Sequence, residues 1–397
     1  MKYVKALGLG AAGALLCSSA AMAQALDWNT TVRARVTYDS AAARSSDAIA
    51  AARGLEEEDV IGDILATFNV KRPVGRQQLF AQGSVGYDFH QQNTQLNRER
   101  INVTAGVSRQ VGPCAAKGSG GYARSQSDLE DLNLEAVKNV LERRSVQVGL
   151  ACSRVIGIAP TFSFSQDWVE NSAATRQQAN SDSITGRIGL GYSRPVLGSV
   201  SVYGEYREST FPNRLILVNG ELIQDGFEVY SGGVQYDRAL GSRLAGSISA
   251  AYTSLRPEAP GVNGYDGLTY GASLSYRPTS RLSTNLAFTR DTRPSNRLDS
   301  TYDLHELLSL QANYKIGYRL SLSLGGSRST NKVQGAALVP GIDVRDEETR
   351  AIFGAVSMKV NEHVALSLDA RHQERDADLS GFDYRSEQIG LTATAGF

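Results

Sequence analysis

The chain has no apolar run long enough to cross a bilayer as a helix. Its longest, residues 6–16, falls short of the roughly 20 residues such a helix needs. Any membrane contact must therefore be made another way. Histidine is scarce at four, His90, His305, His363 and His372, and cysteine at three. No His-x-x-x-His pair or His/Cys cluster exists, so no metal site is expected, and no motif calls for a cofactor. No serine, histidine and carboxylate are brought to one place by the pattern, so catalysis is not expected. Charge of one sign is not in excess, with 41 basic against 41 acidic residues. That argues against nucleic acid as a partner.

What the chain has instead is glycine, 39 residues, and tyrosine, 17 against 11 phenylalanines. This balance suits β-structure better than helix. The first 23 residues read as an export signal: Lys2 and Lys5, a short apolar run, then Ala21-Met22-Ala23 as a cleavage site. Cys17 follows Leu16, where a lipid-attachment signal wants a small residue. The mature chain should begin near Gln24, a few residues before the first strand. That leaves no length for a plug or a periplasmic domain ahead of it.

Tight Pro/Gly/Ser breaks with a basic residue recur along the chain. Examples are KRPVGR (71–76), SRPVLGS (193–199), DRALGS (237–242) and YKIGYR (314–319). Arg72, Arg109, Arg154, Arg194, Arg238, Arg277, Lys315 and Lys359 mark eight of them, 37 to 45 residues apart. Such a recurrence admits a solenoid or a propeller, and the flanks decide. Trp28, Val32, Ala34, Val36 and Tyr38 alternate with Asn29, Thr31, Arg33, Arg35 and Thr37. Leu244, Gly246, Ile248, Ala250 and Tyr252 alternate with Ser247, Ser249 and Thr253. This is the period of a strand, sustained for about ten residues, too long for a propeller blade or a solenoid coil. Longer polar stretches lie between the breaks, at 40–57, 90–97, 170–182, 209–225, 255–266, 291–303, 330–347 and 376–383.

Eight tight turns separate nine hairpins. The expected fold is all-β, a closed antiparallel transmembrane β-barrel of about 18 strands spanning 24–397. Closure follows from solvent: in hydrocarbon every backbone N–H and C=O must be paired, and only a sheet without edges does that. The expected turns are 72–76, 109–116, 154–158, 194–199, 238–242, 277–281, 315–319 and 359–363. Tyr192, Tyr236, Tyr276 and Tyr314 precede the turns where an aromatic girdle meets headgroups. Leu244, Ile248, Leu274, Leu286 and Leu322 should face lipid. Phe397 ends an alternating strand and resembles the signal read by the outer-membrane assembly machinery.

Cys114 is placed in the second tight turn and Cys152 at the end of the strand before the third. Both fall at the periplasmic rim of one hairpin, and the periplasm is oxidising, so a structural disulfide is expected. Its Cα atoms should lie roughly 4.4–6.8 Å apart. Arg33, Arg35, Arg187, Arg207, Arg371 and Arg385, with Glu205, Asp369 and Glu387, are placed on lumen faces. There they form either a stiffening lattice of ion pairs or a field that favours anionic solute. Residues 128–144 carry a partial helical stripe, Leu129, Leu132, Ala136, Val137, Val140 and Leu141, at a long-loop end. That segment would constrict the pore, cap its rim, or be a strand end plus a short surface helix.

SRQVGPC (108–114), GYARSQSDLEDL (121–132), IAPTFSFSQDW (158–168), SRPVLGSVSVYGEY (193–206) and DGFEVYSGGVQYDRALGSR (225–243) resemble the "second putative β-barrel porin" family of proteobacterial outer-membrane proteins, over essentially the mature chain. The resemblance implies an outer-membrane barrel of a Gram-negative bacterium, often linked with exopolysaccharide secretion, with no agreed catalytic or binding residues. Three functions stand: a channel assisting exopolysaccharide export with periplasmic export partners, a general diffusion porin, and a structural or adhesive barrel. Outer-membrane lipid and the assembly machinery are the expected partners.

Overall fold

The structure, a computed structural model, describes residues 26–127, 129, 138–218, 221–259, 262–295, 301–334 and 346–397. The expected signal segment lies outside them. Eighteen strands form one antiparallel sheet. They are β1 (Asp27–Asp39), β2 (Asp59–Val74), β3 (Gln77–His90), β4 (Arg98–Val111), β5 (Cys114–Gln126), β6 (Val140–Cys152), β7 (Gly157–Asn171), β8 (Ser181–Arg194) and β9 (Gly198–Val218). β10 (Glu221–Leu240), β11 (Leu244–Pro257), β12 (Tyr265–Tyr276), β13 (Leu282–Pro294), β14 (Tyr302–Ile316), β15 (Leu320–Gln334), β16 (Asp346–Lys359), β17 (Val364–Ala377) and β18 (Tyr384–Gly396) follow. Each pairs with its sequence neighbours. β18 returns to β1, from Thr31 opposite Gly396 to Asp39 opposite Gln388. No strand edge is left open to hydrocarbon along that closure.

All eight tight turns fall where the sequence places them, for example 75–76 between β2 and β3 and 317–319 between β14 and β15. Gly75 and Gly317 take φ of 60° and 72°, which only glycine adopts without strain. Short turns mark the periplasmic end of such barrels and long loops the outside. Alternation does the rest. Ile248, Leu274 and Leu286 are solvent-exposed on the outer wall, as are Tyr192, Tyr276 and Tyr314 near its lower edge. The Tyr236 hydroxyl donates to the Leu197 carbonyl of the adjoining turn, at 2.7 Å.

Three expectations are corrected. The strands run longer than ten residues, 21 in β9 and 20 in β10. The stretch 209–225 is therefore hairpin rather than loop. Apolar residues continue through Leu215 and Leu222 with no breaker but the Asn219-Gly220 pair, a hairpin signal. Arg214 steadies the bulge there, pairing with Asp225 at 3.2 Å and stacking on Phe211. Within 128–144, residues 140–144 begin strand β6, in line with the strand-end reading and against a helix that runs through to 144. Residues 128 and 130–137 lie outside the described part. Finally, Cys114 opens β5 instead of sitting in the turn.

The one α-helix among the described residues, α1 (Asp47–Ala52), lies in the long loop between β1 and β2. This loop folds into the mouth. Arg44 reaches Asp39 on the inner face of β1 at 2.6 Å and stacks over Tyr384 of β18. Ala43, Ala50 and Leu55 form a small buried core with Leu96 and Leu129. Arg53 donates to the Leu129 carbonyl and lies over Phe382. Burial and the nearby Arg375 guanidinium pull the Arg53 guanidinium down to about 10.

Candidate functional site: the lumen and its arginines

The inner wall is lined by the alternate, mostly polar residues of each strand. Near β1 it is a lattice of ion pairs. Arg33 binds Asp63 at 2.8 Å, Asp63 also takes Arg100 at 3.1 Å, and Arg100 reaches Asp88. Arg35 pairs with Asp369 at 2.6 Å across the intervening strand β18. The bridge passes directly over Gly390. A Cβ there would lie 2.8 Å from the Arg35 guanidinium and 2.9 Å from the Asp369 carboxylate. Glycine at 390 thus lets two strands that are not neighbours be tied together. Further round, Arg375 is fully buried against Glu347.

Lower in the barrel, Arg187 lies over the Tyr203 ring, 3.6 Å from its centroid, and 3.8 Å from Glu205. With Lys117, Gln147, Gln235 and Asp237, Arg187 and Tyr203 line a cavity of about 730 Å³ of mixed polar and apolar lining near the periplasmic end.

The upper lumen differs. A cavity of about 900 Å³ is lined by Arg143, Arg207, Arg293 and Arg371, with Asp167, Asp303, Glu347 and several serines. Among the described residues none of these four arginines has a carboxylate within ion-pair distance. Arg371 donates to Gln373 and Arg293 to Asn331. Arg207 reaches from β9 to the Thr292 carbonyl at 2.6 Å and its hydroxyl at 2.9 Å. β13 lies four strands away from β9, so this contact crosses the lumen. The upper part of the β13–β14 hairpin therefore leans inward. Its Tyr302 meets Phe227, which joins Phe211, Val229 and Leu255 in a buried apolar cluster on the inner wall.

Of the arginines that the sequence places in the lumen, Arg33, Arg35 and Arg187 sit beside carboxylates, while Arg207 and Arg371 do not. Arg143 and Arg293 were not singled out. Their position in alternation carried the signal, but pairing depends on neighbours that the sequence does not order. Arg385 and Glu387 are corrected: they stand on the outer face, in line with Ile389 and Leu391. Arg385 pairs there with Glu374, and Glu387 with His372. Both belong to a belt of cross-strand ion pairs near the loop end of the wall, which includes Arg124–Glu142, Arg256–Asp266 and Arg328–Glu348. Above the hydrocarbon the outer face has no reason to be apolar.

Cys114 and Cys152 are bonded, directly opposite each other in the β5–β6 ladder. Their Cα atoms are 3.8 Å apart, closer than expected. Ser153 N donates to the Pro113 carbonyl just beyond them, which makes theirs the close, non-hydrogen-bonded kind of ladder pair. Phe397 projects outward, while its backbone exchanges hydrogen bonds with Thr30. His90 meets Asp59, and His305 meets Asn331. No group of His, Cys, Asp or Glu suited to a metal exists among the described residues.

An 18-stranded closed wall with a polar, arginine-lined interior is the build of an outer-membrane porin. Residues 223–397 match the family "Putative beta-barrel porin 2". The resemblance seen in the sequence is borne out there. No curated protein matches the chain. Among solved structures it is similar to OccK2 (OpdF) of Pseudomonas aeruginosa, at 12% identity and a TM-score of 0.51, covering 94% of this chain and 98% of that one. The same protein in complex with glucuronate matches at 11% identity and a TM-score of 0.50, with the same coverage. At these identities the likeness speaks for the fold. The chain folds as a closed, porin-like β-barrel of the outer-membrane kind.

Proposed function

We propose that this barrel is a passive channel for anionic saccharides, and that the acidic strand of an exopolysaccharide leaving the cell is its physiological cargo. The observation that carries the reading is the set of four arginines, Arg143, Arg207, Arg293 and Arg371, with no carboxylate beside them around the upper cavity. Guanidinium groups held in a narrow lumen favour anions and bind carboxylates through paired N–H donors. The lower cavity continues the path with Lys117, Arg187 and Tyr203, charge and a ring that suit acidic sugars. The glucuronate complex of OccK2 gives the idea of such a ligand a precedent within the fold.

General diffusion of small anions is the alternative that shares this cavity, and size separates the two. Protein purified in detergent is inserted into planar bilayers, and acidic oligosaccharides of increasing length are added to the short-turn side. The proposal expects current blocks whose duration grows with length, and none from neutral oligosaccharides of equal length. Blocks by monosaccharide acids only would assign a small-solute porin. Equal blocking by neutral and acidic chains would overturn the role of the arginines. Export would further call for periplasmic partners and an exported signal segment, 1–23.

A further inference from the structure

One seam of the wall is unlike the others. β12 and β13 pair only from Tyr270 opposite Arg290 to Tyr276 opposite Thr284, seven residue pairs. The next shortest ladder, β1 with β18, has nine. Above Tyr270 the two strands part. β12 continues along β11 up to Tyr265, and β13 continues along β14 up to Pro294. The parting is the outer consequence of the inward lean of β13–β14 that Arg207 holds through Thr292.

Depth gives this its meaning. Tyr276 lies in the lower girdle, and Tyr270 is six residues above it. At ~3.3 Å per residue and a tilt of ~40°, the ladder stops about 15 Å up a band roughly 25 Å tall. The strands therefore separate within the hydrocarbon layer, where an unpaired backbone group is costly. The Leu268 carbonyl is taken by the Tyr265 hydroxyl, at 2.8 Å. Arg290 lies in the seam, its guanidinium 6.0 Å from the Tyr265 ring centre and 5.9 Å from that of Tyr270, and pairs with Glu306 at 3.2 Å.

Apolar surface lies on both sides of this seam. Outside and just below the parting, where the ladder is still closed, lies a groove of about 320 Å³ lined by Leu240, Leu244, Ile248, Leu274, Leu286 and Phe288. Inside, Tyr265 packs against the cluster of Phe211, Phe227, Val229, Leu255 and Tyr302, in a lumen otherwise polar. Beyond that cluster stand Arg207 and Arg293 of the upper cavity. The groove ends at Ala272 and Phe288, two residues below Tyr270 and Arg290, and the cluster and the cations stand behind the parted ends.

We propose that the parted upper ends of β12 and β13 form a lateral portal, through which a molecule with an acyl chain and an anionic head passes between the outer leaflet and the lumen. The chain would follow the groove and the inner cluster, and the head the guanidinium groups of Arg290, Arg207 and Arg293. Arg290, held on β13 by Glu306 of β14 and lying against Tyr265 and Tyr270 of β12, closes the portal at rest. This inference stands apart from the saccharide reading, which needs no opening in the wall.

The test uses the full-length barrel in vesicles, with Trp28→Phe and Trp168→Phe removing the native fluorophores. One variant carries Phe227→Trp behind the seam and a control carries Phe80→Trp on the inner wall of β3. Leu255→Trp replaces Phe227→Trp if the latter fails to give a heat-resistant barrel. In vesicles of acyl-brominated phosphatidylcholine, the tryptophan behind the seam should be quenched at least twofold more than that at position 80. Arg290→Ala should increase the difference. In unbrominated vesicles, dibromostearate should quench it more strongly than its methyl ester. Equal quenching at both positions would overturn the portal. Equal quenching by acid and ester would overturn the anionic head.

Discussion

Single residues carry the joints of this wall. Gly390 is the clearest: a side chain there meets both ends of the Arg35–Asp369 bridge. Gly390→Val should cost about 1–3 kcal/mol by overpacking, read as a lower urea midpoint for unfolding from lipid vesicles. Gly396→Val, where the nearest atoms stand at 3.9 Å or more, serves as the mild comparison. The Cys114–Cys152 bond closes a segment with a sequence separation of 38. Replacing both cysteines by serine should remove at most about 3–4 kcal/mol in the chain-entropy model. Heat resistance on gels should fall while barrel assembly persists, since the ladder closes without the bond. Two freely labelled thiols in unreduced wild-type protein would contradict the assignment. On the outer wall, Ile248→Arg should cost roughly 2–4 kcal/mol near the midplane. An unchanged unfolding free energy would show that Ile248 does not face lipid.

At the scale of elements, the sequence was most readable where one physical demand acts alone. Trp28 to Tyr38 alternates because one face meets lipid and the other water, and the turn residues at 75–76 and 317–319 stand where the chain must reverse. Reading failed where that demand lapses. Arg385 and Glu387 lie above the hydrocarbon, so polarity no longer reports the face. β9 and β10 run past the membrane, where Pro212-Asn213 and Asn219-Gly220 suggest a loop while Leu215 and Leu222 carry the hairpin on. The lean of β13–β14 depends on Arg207 meeting Thr292 across the lumen, a contact between strands far apart in sequence. Arg207→Gln should release that hairpin and raise the open-channel current noise and mean conductance in bilayers. Unchanged traces would mean the hairpin is held elsewhere. The loop carrying α1 is expected to respond to pH. Burial, and then the neighbouring Asp47, raise the Glu57 carboxyl above its ordinary value of 4.5. A carboxyl raised by folding favours the folded loop when protonated, and this stabilisation is lost as pH rises through the raised value. The loop should therefore sit more firmly in the mouth in acid, giving lower conductance at mildly acidic than at neutral pH. Glu57→Gln should flatten that dependence.

For the molecule as a whole, closure and permeability are separate properties. The 18-stranded wall follows from the need to pair backbone groups in lipid, met by the ladders everywhere along it except at the upper β12–β13 seam. A pore of that size stays open unless side chains or loops fill it. Here the α1 loop and the β13–β14 hairpin narrow the outer half, while a polar cavity of about 900 Å³ remains above and one of about 730 Å³ below. The pairing of Arg33, Arg35 and Arg375 consumes charge in stiffening, and what is left for solute is the group around Arg143, Arg207, Arg293 and Arg371. The most direct measurement is the reversal potential of a single reconstituted barrel in a potassium chloride gradient. The account predicts a conducting, anion-preferring channel whose preference falls in Arg143→Gln/Arg371→Gln while the barrel stays heat-resistant. A cation-preferring channel, or a preference untouched by that pair of substitutions, would contradict it.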